Sequence, residues 1–344
     1  MRVQTENGIV VGIEDLVGIP SHYLVAPGFI DVQMNGFASV DVASASVEEF
    51  RNLDEELLRK GTTSWLATIV TAPLERMSTS LRLIEPSMNA TSTGCLGAHV
   101  EGPFLGGAPG AHNPAWIIPF DSAWSETLPS IVRMMTMAPE QSGVISEAIP
   151  ALRERGITVS LGHTRASHQE FTAAVEAGAR MVTHLFNGMS GVHHRDGGIA
   201  LSALVEHRVV VGLIADLCHV APDAVNLAFK SKGPSGVCLV SDSVAWESEW
   251  AQRRGVQIRD GAPRLQDGTL AGSCTPLAEC VRHAVVVCGV PLVDALSAAT
   301  RTPADLLGFP QKGQIVVGQQ ADLVVLDEEL SVVEARRGLV SIRG

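Results

Sequence analysis

The sequence predicts an α/β protein: a (β/α)8 TIM-type barrel, with a small β domain built from both termini beside it. Three observations carry this. Short apolar runs of four to eight residues, rich in β-branched side chains, alternate with amphipathic stretches. That alternation is the pattern of a parallel sheet covered by helices on both faces. The tally of runs approaches eight between about residues 25 and 310, the size of such a barrel. The two ends read differently, as short alternating strands with glycine turns. A doubly wound open sheet is the other candidate. No Gly-x-Gly-x-x-Gly follows a run, which counts against its dinucleotide-binding version.

Taken in order, the chain opens with a turn at Asn7-Gly8. The apolar runs follow: Thr63 to Thr71, Gly94 to Val100, Gly156 to Gly162, Arg180 to Leu185, Val209 to Ala215 and Gly236 to Ser241. The segment Ser167 to Gly178 is helical in pattern, with the glycine closing it. Gly313-Gln314-Ile315 and Ala321 to Leu326 begin the terminal strands. The expected division is therefore residues 1–24 plus 313–344 for the small β domain and 25–312 for the catalytic barrel.

Composition narrows the functional classes. Apolar residues make up 46% and charged residues 18%, with a mean hydropathy of +0.21, so the chain is not intrinsically disordered. With 25 basic and 37 acidic residues the net charge is −12, which argues against a nucleic-acid or anionic-membrane surface. No apolar run reaches the length of about 18 residues that a spanning helix needs. Residues 1–13 lack a basic region followed by an apolar core, so no signal peptide is expected. The six cysteines are scattered and form no Cys-x-x-Cys pair. The expected compartment is the cytoplasm, without a disulfide framework.

In such barrels the chemistry sits at the C-terminal ends of the strands. The polar residues that close the apolar runs are Gln33 and Asn35, His99 and Glu101, His163, His184, His219 and Asp242. Imidazoles and carboxylates at several strand ends are what a divalent metal site needs, with a position left for water. Each also has a structural alternative. A lone strand-end histidine is commonly a hydrogen-bonded core residue, Glu101 can be a turn carboxylate, and Asp242, Asp31 and Asp216 can cap helices. His193-His194-Arg195 reads equally well as a solvated loop patch.

At these residues the sequence resembles the N-acetylglucosamine-6-phosphate deacetylases of the amidohydrolase superfamily. The matching segments run in order through nearly the whole chain: Pro27-Gly28-Phe29-Ile30-Asp31, His99-Val100-Glu101-Gly102-Pro103-Phe104, Gly110-Ala111-His112-Asn113-Pro114, Leu161-Gly162-His163-Thr164, Thr183-His184-Leu185-Phe186-Asn187-Gly188-Met189, His193-His194-Arg195, Asp216-Leu217-Cys218-His219, Ser241-Asp242 and Leu270-Ala271-Gly272-Ser273. The resemblance implies a (β/α)8 barrel with a small β-sandwich built from both termini, and one divalent metal on Glu101, His163 and His184: zinc first, with iron, manganese or cobalt as alternatives. It implies Asp242 as the base that activates the attacking water and then as the acid that protonates the leaving amine. His112, Asn187, Gly188 and His219 would bind the sugar phosphate. Arg195 would reach in from a neighbouring subunit, which implies a homodimer. Gln33 and Asn35 stand where many amidohydrolases carry His-x-His, so one metal is expected, and His99 reads as structural.

The chain departs from the family pattern in three places. The segment before Pro27 is short, which is why the sandwich is expected to be reduced. The catalytic aspartate is followed by Ser243-Val244 and Trp246-Glu247, and the loop to Leu270 is short. Gly106-Gly107-Ala108-Pro109 holds no basic residue where one is common. Two alternatives stand beside the deacetylase of N-acetylglucosamine 6-phosphate, the first of them motivated by the altered segment after Asp242. One is a deacetylase of another N-acyl amino sugar, such as the galactosamine epimer or a secondary-pathway intermediate. The other is a non-catalytic sugar-phosphate binding protein.

Overall fold

The computed structural model describes residues 2–14, 22–90 and 93–344. It begins with an antiparallel hairpin, β1 (Arg2–Glu6) and β2 (Ile9–Glu14), turned at Asn7 and Gly8, both with positive φ. Strand β3 (Leu24–Pro27) follows. Eight parallel strands then form the barrel: β4 (Phe29–Met34), β5 (Thr62–Val70), β6 (Cys95–Glu101), β7 (Val132–Met137), β8 (Thr158–Leu161), β9 (Met181–Val182), β10 (Val210–Leu213) and β11 (Val237–Leu239). Each pairs with its neighbour in sequence. A parallel bridge between Met34 and Ser243 brings the two edges together, with the Asn35 N–H donating to the Ser243 carbonyl at 2.9 Å.

These strands are apolar runs because both of their faces are covered. All of β4 is buried, as is all of β5 up to Val70. Ile30, Val32, Leu66, Met134, Ile214 and Val240 belong to one core cluster, and a second, larger cluster lies under the helices. Nearer the C-terminal mouth the buried side chains turn polar. His99 contacts the Val32 carbonyl through Nδ1 at 3.0 Å and Thr136 Oγ1 through Nε2 at 2.8 Å. Thr136, Thr183 and Ser160 continue the chain at 2.8 and 2.5 Å. Burial lowers the His99 pKa to about 4, so the ring is neutral at pH 7.

The helices start where local chemistry dictates. Helix α1 (Val47–Arg59) opens with a capping box between Ser46 and Glu49 and buries Phe50, Leu53, Leu57 and Leu58. Helix α2 (His168–Ala177) has the same box between Ser167 and Glu170, and Gly178 ends it with φ +132°. Downstream of the barrel strands lie the short helix α3 (Glu249–Arg254) and a hairpin, β12 (Gln257–Arg259) and β13 (Ala262–Arg264).

The small unit is a four-stranded antiparallel sheet in the order β16 (Val340–Arg343), β15 (Val332–Arg337), β14 (Asp322–Leu326), β3. The β1–β2 hairpin joins it through backbone bonds such as Val10 N–H to the Gln319 carbonyl at 2.9 Å. A buried ion pair ties the sheet to the barrel. Asp54 on α1 accepts both ends of the Arg337 fork, at 3.0 and 2.5 Å. The same carboxylate also accepts from Trp65 Nε1 and from the Gly94 N–H, each at 2.8 Å. Among the described residues no helix is long and apolar enough to cross a membrane.

Candidate metal-dependent active site

The strand-end residues converge at the C-terminal mouth of the barrel. Glu101 is the last residue of β6, and His163, His184 and Asp242 follow β8, β9 and β11 closely. His163, His184 and Asp242 all hold left-handed backbone, with φ of +50°, +27° and +48°. That conformation costs a non-glycine residue on the order of 1–3 kcal/mol. It recurs here only because the chain must turn sharply at the strand end while aiming a side chain across the mouth.

Glu101, His163 and His184 form a tight triangle. Glu101 Oε1 lies 3.1 Å from each of the two Nε2 atoms, and these lie 3.1 Å from each other. The opposite ring nitrogens touch backbone carbonyls: His163 Nδ1 that of Ala108 and His184 Nδ1 that of Asn187, both at 3.2 Å. A carbonyl can only accept, so each Nδ1 carries the proton and each Nε2 presents a lone pair. Two lone pairs and a carboxylate oxygen facing one point repel each other unless a cation sits among them. The separations also suit donors placed about 2.0–2.2 Å from a single ion. The donor set therefore fits a divalent metal. His112 stands beside it, its Nε2 3.1 Å from His163 Nε2 and 4.0 Å from Glu101 Oε1. Glu101, His112 and His163 also satisfy the geometry of a three-donor cation group.

Electrostatics at the site follow from burial and neighbours. Burial pushes the Glu101 carboxyl up, but His163 and His184 outweigh it and hold it well below the usual carboxylate range. Burial pulls the His184 imidazole down, but Glu101 outweighs it and the net shift is upward. Burial and the nearby His163 take His112 down to about 3. Asp242 is pushed up to about 7, first by burial and then by the negative charge of Glu101.

Two amides hold the two carboxylates. Gln33 Nε2 donates to Glu101 Oε1 at 3.2 Å, and Asn35 Nδ2 donates to Asp242 Oδ1 at 2.8 Å. An NH2 group pointed at a carboxylate offers no lone pair, so these side chains orient acids rather than ligate a second ion. On the other side of the pocket His219 Nδ1 contacts Asp216 Oδ2 at 2.7 Å. Asp216 Oδ1 accepts the N–H groups of Cys218 and His219 at 2.9 and 2.8 Å. His219 outweighs the burial of this carboxylate and lowers its pKa.

Asn35, Glu101, His112, His163, His184, His219 and Asp242 line one cavity of about 200 Å³, together with Asn187, Gly188, Leu270 and Gly272. Arg195 lies outside it, exposed, with Nη1 2.9 Å from His194 Nε2. Trp250 and Arg254, from α3, also line the cavity. The sequence pattern gives no signal for either, because a short helix beyond the last strand carries no strand-end position.

The amidohydrolase family model matches residues 24–340. The N-acetylglucosamine-6-phosphate deacetylase of Bos taurus is 38% identical over 90% of this chain and 81% of its own length. The N-acetylgalactosamine-6-phosphate deacetylase of Shewanella sp. is 33% identical over 96% of this chain and 89% of its own length. Among solved structures, the N-acetylglucosamine-6-phosphate deacetylase of Thermotoga maritima superposes with a TM-score of 0.90 at 32% identity, covering 99% of this chain and 95% of that one. A Mycobacterium smegmatis variant in complex with N-acetyl-D-glucosamine-6-phosphate gives 0.90 at 28% identity, with 99% and 94% covered.

Proposed function

The chain belongs to the amidohydrolase family, among the N-acetylglucosamine-6-phosphate deacetylases, and from that premise we propose that it hydrolyses the N-acetyl amide of N-acetylglucosamine 6-phosphate to glucosamine 6-phosphate and acetate. The observation that carries this reading is the convergence of two bare imidazole nitrogens and one carboxylate beside Asp242, whose carboxyl is raised by its surroundings. Glu101, His163 and His184 would hold one divalent ion, zinc by the chemistry of the donor set. When bound, such an ion polarises the amide carbonyl and lowers the pKa of water.

The remaining steps belong to the side chains. Asn35 engages Asp242 Oδ1, which leaves Oδ2 to take the proton of the attacking water. Addition to the carbonyl carbon gives a tetrahedral intermediate. As the C–N bond breaks, Asp242 returns that proton to the sugar nitrogen, so a neutral amine and acetic acid leave, the acid then loses its proton to solvent as acetate, and the base is regenerated. A carboxyl poised near neutrality serves both directions of this transfer. His219, oriented by Asp216, together with His112, Asn187 and the Gly188 backbone amide, would hold the sugar phosphate. Arg195, exposed on its loop, would enter the pocket of a second copy of the chain, giving a homodimer. The proposed division is a catalytic barrel, 25–312, and a small unit from the termini, 1–24 with 313–344, with the first boundary moved to Pro27 because β3 (Leu24–Pro27) pairs within the small sheet. The free cysteines support a reducing compartment, the cytoplasm.

The galactosamine epimer is the second reading, favoured by the 33% identity to the Shewanella enzyme. Acetate release from the two 6-phosphates and from both unphosphorylated sugars separates the readings. Faster turnover of the glucosamine ester is expected. Faster turnover of its epimer transfers the assignment to the second reading, and release from none of the four rejects both.

A further inference from the structure

The pocket holds a cation that the chemistry above does not use. Among the described residues lining it, Arg254 is the one arginine or lysine. It ends α3 directly after Arg253, and the two neighbours have opposite surroundings. Arg253 faces solvent, 63% exposed, and pairs with Glu249 at 3.0 Å. Arg254 is half-buried, donates through Nη2 to the Ala111 carbonyl, and lays its guanidinium over the Trp250 ring at 5.4 Å from the centroid. Among the described residues no carboxylate pairs with it, and burial alone shifts its pKa, downward.

The segment is built to keep this arginine in place. Ser248 caps α3 by accepting the Ala251 N–H at 3.3 Å, and Gly255 ends the helix with φ +65°. Ala251, Val256 and Ala271 form a small buried cluster against which Trp250, Leu265 and Ala111 pack. Arg254 is thus fixed against the loop that carries His112. A guanidinium has five N–H donors, and the Ala111 carbonyl leaves most of them for the pocket. A partly desolvated cation without an anion carries a cost, so this position suits a ligand that brings the negative charge with it.

We propose that Arg254 is a substrate-binding residue that takes the phosphate of the amino-sugar phosphate, supplied by the same chain that carries the catalytic groups. The proposal rests on the deacetylase reading. A phosphate dianion entering a protein of net charge −12, beside Glu101 and Asp242, needs a fixed positive charge, and the guanidinium fork matches two phosphate oxygens.

The test compares Arg254→Met and Arg254→Lys with the wild type. Methionine keeps an apolar stem against Trp250, and lysine keeps the charge without the fork. The readout is the ratio of kcat/KM for N-acetylglucosamine 6-phosphate to that for N-acetylglucosamine. The same ratio is read in binding, as calorimetric affinity for glucosamine 6-phosphate over glucosamine. Arg254→Met is expected to reduce both ratios by about 100-fold, the scale of a lost charge-assisted bidentate contact, with Arg254→Lys in between. Equal losses on both sugars would mean that Arg254 only supports the loop and would overturn the proposal, as would unchanged ratios. A wild type that neither hydrolyses nor binds the phosphate ester removes the deacetylase reading itself. A wild type that does both while Arg254→Met is indistinguishable from it removes this inference alone.

Discussion

Asp242, the proposed base, shows how surroundings bring the pKa of an ordinary carboxylate toward neutrality. Its carboxyl rises to about 7 through burial and the charge of Glu101. A bound cation favours the ionised form and moves the value downward. The kcat/KM profile should therefore fall about tenfold per pH unit on an acid limb whose midpoint lies at or below 7. A midpoint clearly above 7 would contradict this assignment. Asp31 illustrates the opposite use of burial. It is wholly buried, its Oδ2 lacks a hydrogen-bond partner among the described residues, and burial raises its pKa to about 6. An unfolded aspartate titrates near 3.9, so between about pH 4 and 6 the folded state binds more protons. Stability then falls as pH rises through that window, and the penalty is complete above it. Two pK units correspond to about 3 kcal/mol. Asp31→Asn, which retains the Oδ1 acceptor for Gln33 and Ser241, should raise Tm at pH 8 and not at pH 4. An equal Tm change at both pH values would refute that account.

At the scale of elements, α1 and β15 are joined through Asp54 and Arg337. Removing one member of a buried, hydrogen-bonded ion pair typically costs about 3–5 kcal/mol. Asp54→Ala should lose stability on that scale in urea and expose the terminal sheet to proteolysis before the barrel. A loss below about 1 kcal/mol would show that the sheet is held by its apolar contacts instead. This pairing spans 283 residues and left no trace in the sequence, because neither residue lies in a motif. The barrel strands were legible where β-branched runs are long, as in β5. The strand β7 was not picked out, because VRMMTM carries one valine, one threonine and a charged Arg133. The run Arg180 to Leu185 yields only two residues of strand in β9, since the chain turns early to aim His184. Positions at strand ends made Glu101, His163, His184, His219 and Asp242 visible as candidates. Gln33 and Asn35 were visible as the absence of ligands, but their task of holding Glu101 and Asp242 needed coordinates. Arg254 and the Asp216–His219 contact also required the fold.

For the whole molecule, a donor cluster of like polarity in the barrel mouth is an internal repulsion that a cation relieves. Binding that is confined to the folded state adds stability of RT ln(1 + [L]/Kd), about 2.7 kcal/mol at 100 Kd. Stripping the ion with a chelator should therefore lower Tm by several degrees, and one equivalent of zinc should restore it. A second equivalent should do nothing further, since the place of a second site is filled by the amides of Gln33 and Asn35. A Tm insensitive to chelation would argue against a resident ion.

The measurement closest to the central claim is acetate release from N-acetylglucosamine 6-phosphate by metal-analysed wild type and by Asp242→Asn. The wild type, with one ion per chain, should release acetate and glucosamine 6-phosphate in equal amounts. The variant should lose about two or more powers of ten in kcat, the scale of general-base catalysis, while still binding glucosamine 6-phosphate. A metal-loaded wild type without turnover, or an Asp242→Asn protein as active as its parent, would contradict the account.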